Sequence, residues 1–141
     1  MLKKLFYSAS FFILTFLVVL LIMKLIIQQS IPDSHQAFIE EKGWDLAFYF
    51  PKKEPFTIPE YPEPLETFYL AGVDFTGHEK TKITRHRYRI EQKCDIRYLE
   101  AVILSGDDKI IGSYIDASDT VPGIAEMVEK DDFMKRGYCL N

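Results

Sequence analysis

The sequence lacks the short motifs that mark the common catalytic and metal sites. It contains no G-x-S-x-G, no phosphate-binding P-loop and no H-E-x-x-H, the signatures of serine hydrolases, nucleotide hydrolases and zinc proteases. His35, His78 and His86 show no metal-ligand spacing, and residues 107–119 do not follow the EF-hand pattern. No nucleophile–base pair can be recognised either. The sequence therefore predicts no catalytic residue, no metal ligand and no cofactor.

Acidic residues are missing from the first 32 positions, whereas three of the 17 basic residues, Lys3, Lys4 and Lys24, lie there. The rest of the chain carries 14 bases and 21 acids, a net charge of 14 − 21 = −7. Nucleic acid requires a broadly basic face, so this charge argues against a nucleic-acid partner. It also argues against adhesion to an anionic lipid surface.

Residues 5–23 form an apolar run of 19 positions without a charge. At about 1.5 Å per helical residue the run covers about 28 Å, close to the roughly 30 Å hydrocarbon core of a bilayer. We therefore expect a transmembrane helix, with residues 1–30 as the anchor and the lipid bilayer as its partner.

This run favours an uncleaved anchor over a cleaved signal peptide. It is longer than the apolar region of a signal peptide, and no Ala-x-Ala cleavage site follows it. No cysteine lies near it, which excludes a lipid-modified N-terminus. Because Lys3 and Lys4 precede the run, we expect the N-terminus in the cytoplasm and the rest outside the cell membrane. Lys24 opposes this orientation weakly, since its long side chain can reach the far interface.

Residues 33–130 are long enough for one domain, and their pattern predicts an α+β fold. We expect an antiparallel sheet of three to four strands packed against short helices. The strands are expected at residues 44–50, 81–91, 96–104 and 109–116. The helices are expected at residues 34–42, 64–72 and 120–129.

Three further expectations concern the segments between these elements. Residues 51–64 hold five of the seven prolines, which predicts an extended connector with one edge-strand segment at residues 56–58. Gly106 is expected to supply the positive φ of a tight hairpin turn. Trp44 and the aromatics beside it are expected in the core, whereas the tail 131–141, with Lys130 before it, is expected to be loosely ordered.

The order of the segments resembles an uncharacterised bacterial family, domain of unknown function 4830. The resemblance covers residues 38–123 and lies in GW at 43–44, TIP at 57–59, KITRHRYRI at 82–90 and KIIG at 109–112. The chain departs from the family pattern at His86, where an aromatic is usual, and at Ser113, where a second glycine is usual. The resemblance implies a small membrane-anchored or lipoprotein-type protein, and it supplies no reaction.

Arg85, Arg87 and Arg89 alternate along one predicted strand, so their side chains share a face. Three guanidinium groups in a row could bind an acidic partner or a polyanion. The alternative is that they pair with acidic residues of the next strand, as Arg97 and Glu100 suggest. This face is the candidate binding surface.

Cys94 and Cys139 are the only cysteines, and both lie in the part expected to face an oxidising compartment. A disulfide between them would pin the tail to the sheet and close a 46-residue loop. Two free thiols are the alternative.

These features favour a non-enzymatic binding or regulatory module of the bacterial envelope, acting on an envelope protein or an acidic ligand. Two alternatives stay open. One is an enzyme that acts on an envelope substrate without a recognisable motif. The other is a small subunit of a membrane complex, with the transmembrane helix as its interface.

Overall fold

The computed structural model describes residues 2–94, 97–107, 109–117 and 123–137, with the side chains of the first helix described from Ser10 onward. Within these ranges it confirms an α+β fold, in which an apolar N-terminal helix precedes a five-stranded antiparallel sheet with short helices. The sheet has one strand more than predicted. The elements are α1 (Leu2–Gln29), α2 (Asp33–Glu41), β1 (Lys52–Phe56), α3 (Pro62–Leu70), β2 (Ile83–Cys94), β3 (Arg97–Gly106), β4 (Lys109–Asp116), β5 (Ile124–Glu126) and α4 (Lys130–Lys135).

Helix α1 contains a segment, Ser10–Gln29, of 20 residues that is long and apolar enough to cross a membrane or to act as a signal anchor. Its side chains are exposed along most of this length, as a lipid-facing helix requires. Helix α1 ends at Gln29, and Pro32 is the N-cap residue of α2. Proline disfavours helix at the residue before it, so the chain does not continue from α1 to α2 as one helix. Ile27 and Ile31 are buried, so the end of α1 packs against the domain.

The five strands follow one another in the sheet in the order of the sequence, each antiparallel to the next. In the β2–β3 pair, Arg87 lies opposite Val102 and Tyr88 lies opposite Ala101. Since side chains alternate along a strand, even-numbered residues of β2 face one side of the sheet and the arginines face the other.

The first face of the sheet carries the larger hydrophobic cluster, which α2 and α4 cover. Trp44 and Phe133 meet edge to face with ring centroids 5.2 Å apart, and the indole Nε1 donates to the carbonyl of Val128 at 2.9 Å. The buried members are Ile31, Ile39, Trp44, Tyr88, Ile90, Cys94, Leu99, Ala101, Ile103, Ile115, Met127 and Phe133.

The second face carries a smaller cluster under α3 and the loop that follows it. Its buried members are Ala71, Val73, Phe75, Ile83, Val102, Leu104 and Tyr114. Helix α3 has only nine residues and covers part of this face. The arginines of β2 lie on the same face and are not members of the cluster.

The prediction of a strand at residues 44–50 is wrong. Within this segment the structure has a single isolated bridge between Leu46 and Ile90. Trp44 is buried as expected, whereas Phe48, Tyr49 and Phe50 are 52%, 41% and 49% exposed. The reason is that the chain is hydrogen-bonded to β2 up to residue 47 and again from Lys52, where β1 begins. The aromatics between these two points are not paired with β2.

Several predicted boundaries are shifted. The edge strand in the proline-rich connector is β1, which ends at Phe56, where the expected segment 56–58 begins. Pro55 is tolerated there because β1 lies at the edge of the sheet. Helix α3 begins at Pro62, two residues before the predicted start, with both early prolines in its first turn.

The predicted helix at residues 120–129 is wrong in its described part. Ile124–Glu126 is strand β5, whose Ala125 lies opposite Ile115 of β4. The apolar residues of this segment also fit the two-residue period of a strand. The edge of β4 offers backbone N–H and C=O groups that pair with β5 and that a helix would leave without hydrogen bonds. Residues 118–122 lie outside the described ranges.

The expectation of a loosely ordered chain from Lys130 is wrong for residues 130–135, whereas residues 138–141 lie outside the described ranges. Residues 130–135 form α4, and Phe133 is fully buried against the first face of the sheet. Most residues of α4 are charged, so the sequence of this segment gives little sign that Phe133 belongs to the core. The core therefore extends past residue 130.

The turn between β3 and β4 uses its glycine differently from the prediction. The positive φ, 49°, belongs to Asp107. Gly106 is needed for space instead, since a Cβ there would lie 2.6 Å from Thr81 Cγ2 and 2.8 Å from Ile111 Cδ1.

Candidate functional site

A groove of about 910 Å³ opens on the second face of the sheet. Its walls are the connector that follows β1, helix α3 and the loop 73–82. Its lining residues are Phe56, Thr57, Ile58, Pro59, Glu60, Leu65, Glu66, Tyr69, Val73, Asp74, Phe75, Thr76, Glu79, Thr81 and Lys82. We call this the connector groove.

The floor of the connector groove rests on three aromatic rings. Phe56 stacks on Phe75 with centroids 5.8 Å apart, and Phe68 meets both rings edge-on at 5.5 Å. Rings in mutual contact from β1, α3 and the following loop support one another, so the floor is preformed. An apolar, preformed concavity of this size is typical of ligand sites.

The rim of the connector groove is acidic. Four of its residues are carboxylates and one is basic: Glu60, Glu66, Asp74, Glu79 and Lys82. The Thr76 hydroxyl and backbone N–H both donate to Asp74 Oδ1, at 2.6 and 2.9 Å, and lower the pKa of that carboxyl. Backbone N–H groups of Glu79 itself and of Gly77 lower the pKa of the Glu79 carboxyl. Both acids are therefore ionised at neutral pH.

Two arginines of the candidate binding face are engaged within the sheet. Arg85 Nη2 lies 2.8 Å from Glu54 Oε1 on β1. Arg87 lies between two carboxylates, with Nε 2.6 Å from Glu100 on β3 and Nη2 2.8 Å from Asp116 on β4. Both arginines therefore pair with acidic residues of neighbouring strands, which was the alternative to a free binding face.

Arg89 has different surroundings. Its guanidinium carbon lies 3.9 Å from the ring centroid of Tyr49 and 4.9 Å from that of Tyr98. Its Nε is buried and has no hydrogen-bond partner within the described part of the chain. The three arginines share one face, as predicted, but they do not form a free cationic row. Binding of an acidic ligand there stays a prediction.

Sequence reasoning missed a polar cluster on the first face of the sheet. His35 Nδ1 lies 2.7 Å from the Tyr88 hydroxyl, and His86 Nε2 lies 2.9 Å from Ser105 Oγ. The two imidazole centroids are 4.6 Å apart. Burial, with the nearby His86 and Lys53, lowers the pKa of His35 to about 4. Burial and Lys53 also lower the pKa of His86, and burial raises the pKa of Tyr88.

The contact between His86 and Ser105 has the distance of a base–nucleophile pair. Its surroundings do not extend it to a hydrolytic site, since within the described ranges no carboxylate is hydrogen-bonded to His86, and that ring is buried. The described residues also contain no group of three metal-ligating side chains. Alternation along β2 could have placed His86 and Tyr88 opposite the arginines, but no pattern links them to His35 or Ser105.

Cys94 is disulfide-bonded and is a buried member of the larger hydrophobic cluster. Cys139 lies outside the described residues, so its pairing with Cys94 stays a prediction.

No protein family, curated protein or solved structure matches this chain. The resemblance to domain of unknown function 4830 therefore stays a prediction. What can be inferred about function depends on the geometry of the connector groove and of α1.

Proposed function

We propose that this chain is a single-pass membrane protein of the bacterial envelope whose extracytoplasmic domain is a non-enzymatic binding module. The length and exposure of α1 support the anchor, and the lysines in its first turn support an N-terminus in the cytoplasm. The observation that carries the binding role is the connector groove, which combines an apolar floor with an acidic rim.

The chemistry of the connector groove selects the class of ligand. Four carboxylates against one lysine attract positive charge, and the aromatic floor accepts apolar side chains. The fitting ligand is a segment with both properties, such as a basic and apolar stretch of another envelope protein. An acidic ligand would be repelled at this rim, so it belongs to the arginine face if it binds.

A binding measurement with defined peptides tests this proposal. The full-length chain is placed in nanodiscs of zwitterionic lipid and titrated against a fluorescent peptide of alternating lysine and phenylalanine. A peptide with glutamate in place of lysine is the counterpart, and empty nanodiscs give the lipid background. We expect saturable anisotropy change with the basic peptide and none with the acidic one. Equal response to both peptides, or none above empty nanodiscs, contradicts the proposal.

Charge reversal at the rim localises the binding. The variant E60K/E66K/E79K should weaken binding of the basic peptide and permit binding of the acidic one. E63K is the control, because Glu63 lies on α3 as Glu66 does but does not line the connector groove. If E63K and the triple variant behave alike, the binding site is elsewhere.

The anchor is tested separately by carbonate extraction and by a C-terminal reporter that is active only outside the cytoplasm. Retention of the chain in the membrane pellet together with reporter activity is expected. Release into the supernatant, or an inactive reporter, contradicts the proposed topology.

A further inference from the structure

Four large aromatic side chains are exposed at one end of the sheet. Phe48, Tyr49, Phe50 and Tyr98 have exposed fractions of 52%, 41%, 49% and 45%. Aromatic side chains of this size usually lie in cores, and a group of them at the surface marks an interaction site. We call these four residues the aromatic patch.

The fold holds the aromatic patch in position. The backbone N–H of Ala47 donates to the carbonyl of Arg89, which fixes the segment just before the patch to β2. The rings of Tyr49 and Tyr98 both pack on the Arg89 guanidinium, and Lys93 Nζ lies 4.2 Å from the Tyr98 ring centroid. The patch is therefore a supported surface and not a loose loop.

This patch adjoins the end of the apolar helix. Phe48 lines a cavity of about 460 Å³ together with Lys24 and Ile27 of α1 and with Glu91 of β2. Lys24 is the only charge within Ser10–Gln29, so it marks the level at which that segment meets the headgroups. The burial of Ile27 keeps this end of the helix against the domain. Phe48 therefore lies beside the end of α1 that the proposed anchor places at the bilayer surface.

We propose that the aromatic patch inserts into the interfacial layer of the bilayer beside the end of α1. This inference rests on the membrane anchor of the proposed function and is independent of the connector groove. Tyrosine rings suit this layer because the apolar ring meets lipid while the hydroxyl meets water, and phenylalanine rings add apolar area that inserts below the headgroups. Lys24 and Lys93 are placed to meet lipid phosphates, which all phospholipids carry.

Acidic residues near the aromatic patch narrow the type of attachment. Asp45 and Glu91 are exposed there, with Asp45 paired to Lys130 at 3.0 Å. Together with the net charge of −7 that residues 33–141 carry, they disfavour recruitment by anionic lipid. Insertion should therefore depend on the aromatic rings and proceed in zwitterionic lipid.

Depth-dependent quenching of tryptophan fluorescence tests this inference on the full-length chain in nanodiscs. The variants are F48W and F50W in the patch, F16W within the apolar segment and Y61W at an exposed position outside the patch. The native Trp44 is buried and present in every variant, so it gives a constant background. Lipids brominated near the headgroup or deep in the acyl chain serve as the probes.

We expect the patch variants to lose fluorescence chiefly with the shallow bromine, F16W with the deep bromine, and Y61W with neither. Quenching of F48W and F50W should be equal in zwitterionic and anionic nanodiscs. Quenching of F16W without quenching of either patch variant overturns the inference and leaves the anchor intact. An unquenched F16W overturns the anchor as well. Patch emission that is blue-shifted but unquenched assigns the patch to a protein contact, such as a second copy of this chain, and overturns the lipid assignment.

Discussion

His35 Nδ1 lies 2.7 Å from the hydroxyl oxygen of Tyr88 and so joins α2 to the centre of the sheet. Helix α2 follows α1 after a short turn, and His35 and Ile39 are its buried residues. The contact therefore helps to fix how the domain sits on the end of the apolar helix. It also makes this junction sensitive to protonation, because the ring centroids of His35 and His86 are 4.6 Å apart and a positive charge on either ring disfavours one on the other.

Acidification should weaken the folded domain between pH 6.5 and 4. Burial lowers the pKa of His35 from 6.5 to about 4 in the folded chain. The unfolded chain then binds more protons across this window, so the free energy of unfolding falls as pH falls. The full shift corresponds to at most about 3–4 kcal/mol. Chemical denaturation of the full-length chain at pH 7 and pH 4.5 measures the loss.

The variant H35Q should make that pH dependence shallower, since glutamine can still meet the Tyr88 hydroxyl but does not titrate. H78Q is the matched control, because His78 lies in the loop after α3, outside the cluster. Identical slopes for the wild type and H35Q would rule out His35 as the source.

Replacing Phe133 with alanine should cost about 3–5 kcal/mol of unfolding free energy. The ring is fully buried and packs edge to face on Trp44, so its loss leaves a cavity under α4. Met134 is its exposed neighbour on the same helix, and M134A should change stability by less than about 0.5 kcal/mol. Equal effects of the two variants would argue that α4 does not close the core.

Replacing Arg87 with methionine should cost about 2–3 kcal/mol, because it leaves Glu100 and Asp116 partly buried without their shared cation. The triple variant R87M/E100Q/D116N removes the stranded charges and should recover part of the loss. K135M is the control, since its pair with Asp132 is exposed and 3.9 Å long. A triple variant less stable than R87M would contradict this account.

Adding a methyl group at Gly112 should cost about 1–3 kcal/mol by overpacking. The new Cβ would lie 2.7 Å from Val73 Cγ1, on the face that also carries the connector groove. The double variant G112A/V73A should be more stable than the sum of the two single changes predicts. Strict additivity of the unfolding free energies would show that the two positions do not touch.

The pairing of the two cysteines is open to direct mass analysis. If Cys94 bonds to Cys139, the unreduced chain takes up no alkylating reagent, and proteolysis releases one linked peptide pair that reductant separates. A disulfide-linked dimer on a non-reducing gel would instead show a bond between two chains and contradict the pairing within one chain.

Much of the fold could be predicted from the sequence because its signals are local. The length of the apolar run, the break at Pro32 and the alternation in β2 to β4 each depend on neighbouring residues only. The strand β4 was predicted with its actual bounds, residues 109–116. Where local signals were weak, as in α4, or fitted two periods, as in β5, the prediction failed.

The site depends on distance in the chain, and so it could be predicted only in part. Prolines indicated a stiff connector, but nothing local showed that it would face α3 and the loop 73–82 across a groove. The alternating arginines were placed on one face correctly, yet their partners Glu54 and Asp116 are separated from them by some 30 residues. Register between strands decides such pairs.

The sequence by itself determined that an apolar helix precedes an acidic α+β domain, because helix length and strand alternation are properties of consecutive residues. Only the tertiary structure decided which side chains are free to act. Pairing of β2 with its neighbours engages Arg85 and Arg87. The chain passes from residue 47 to β1 along the edge of the sheet and leaves the aromatics 48–50 exposed, with Phe48 beside the end of α1. Burial and register depend on the whole fold, and these two quantities decide where this protein can bind.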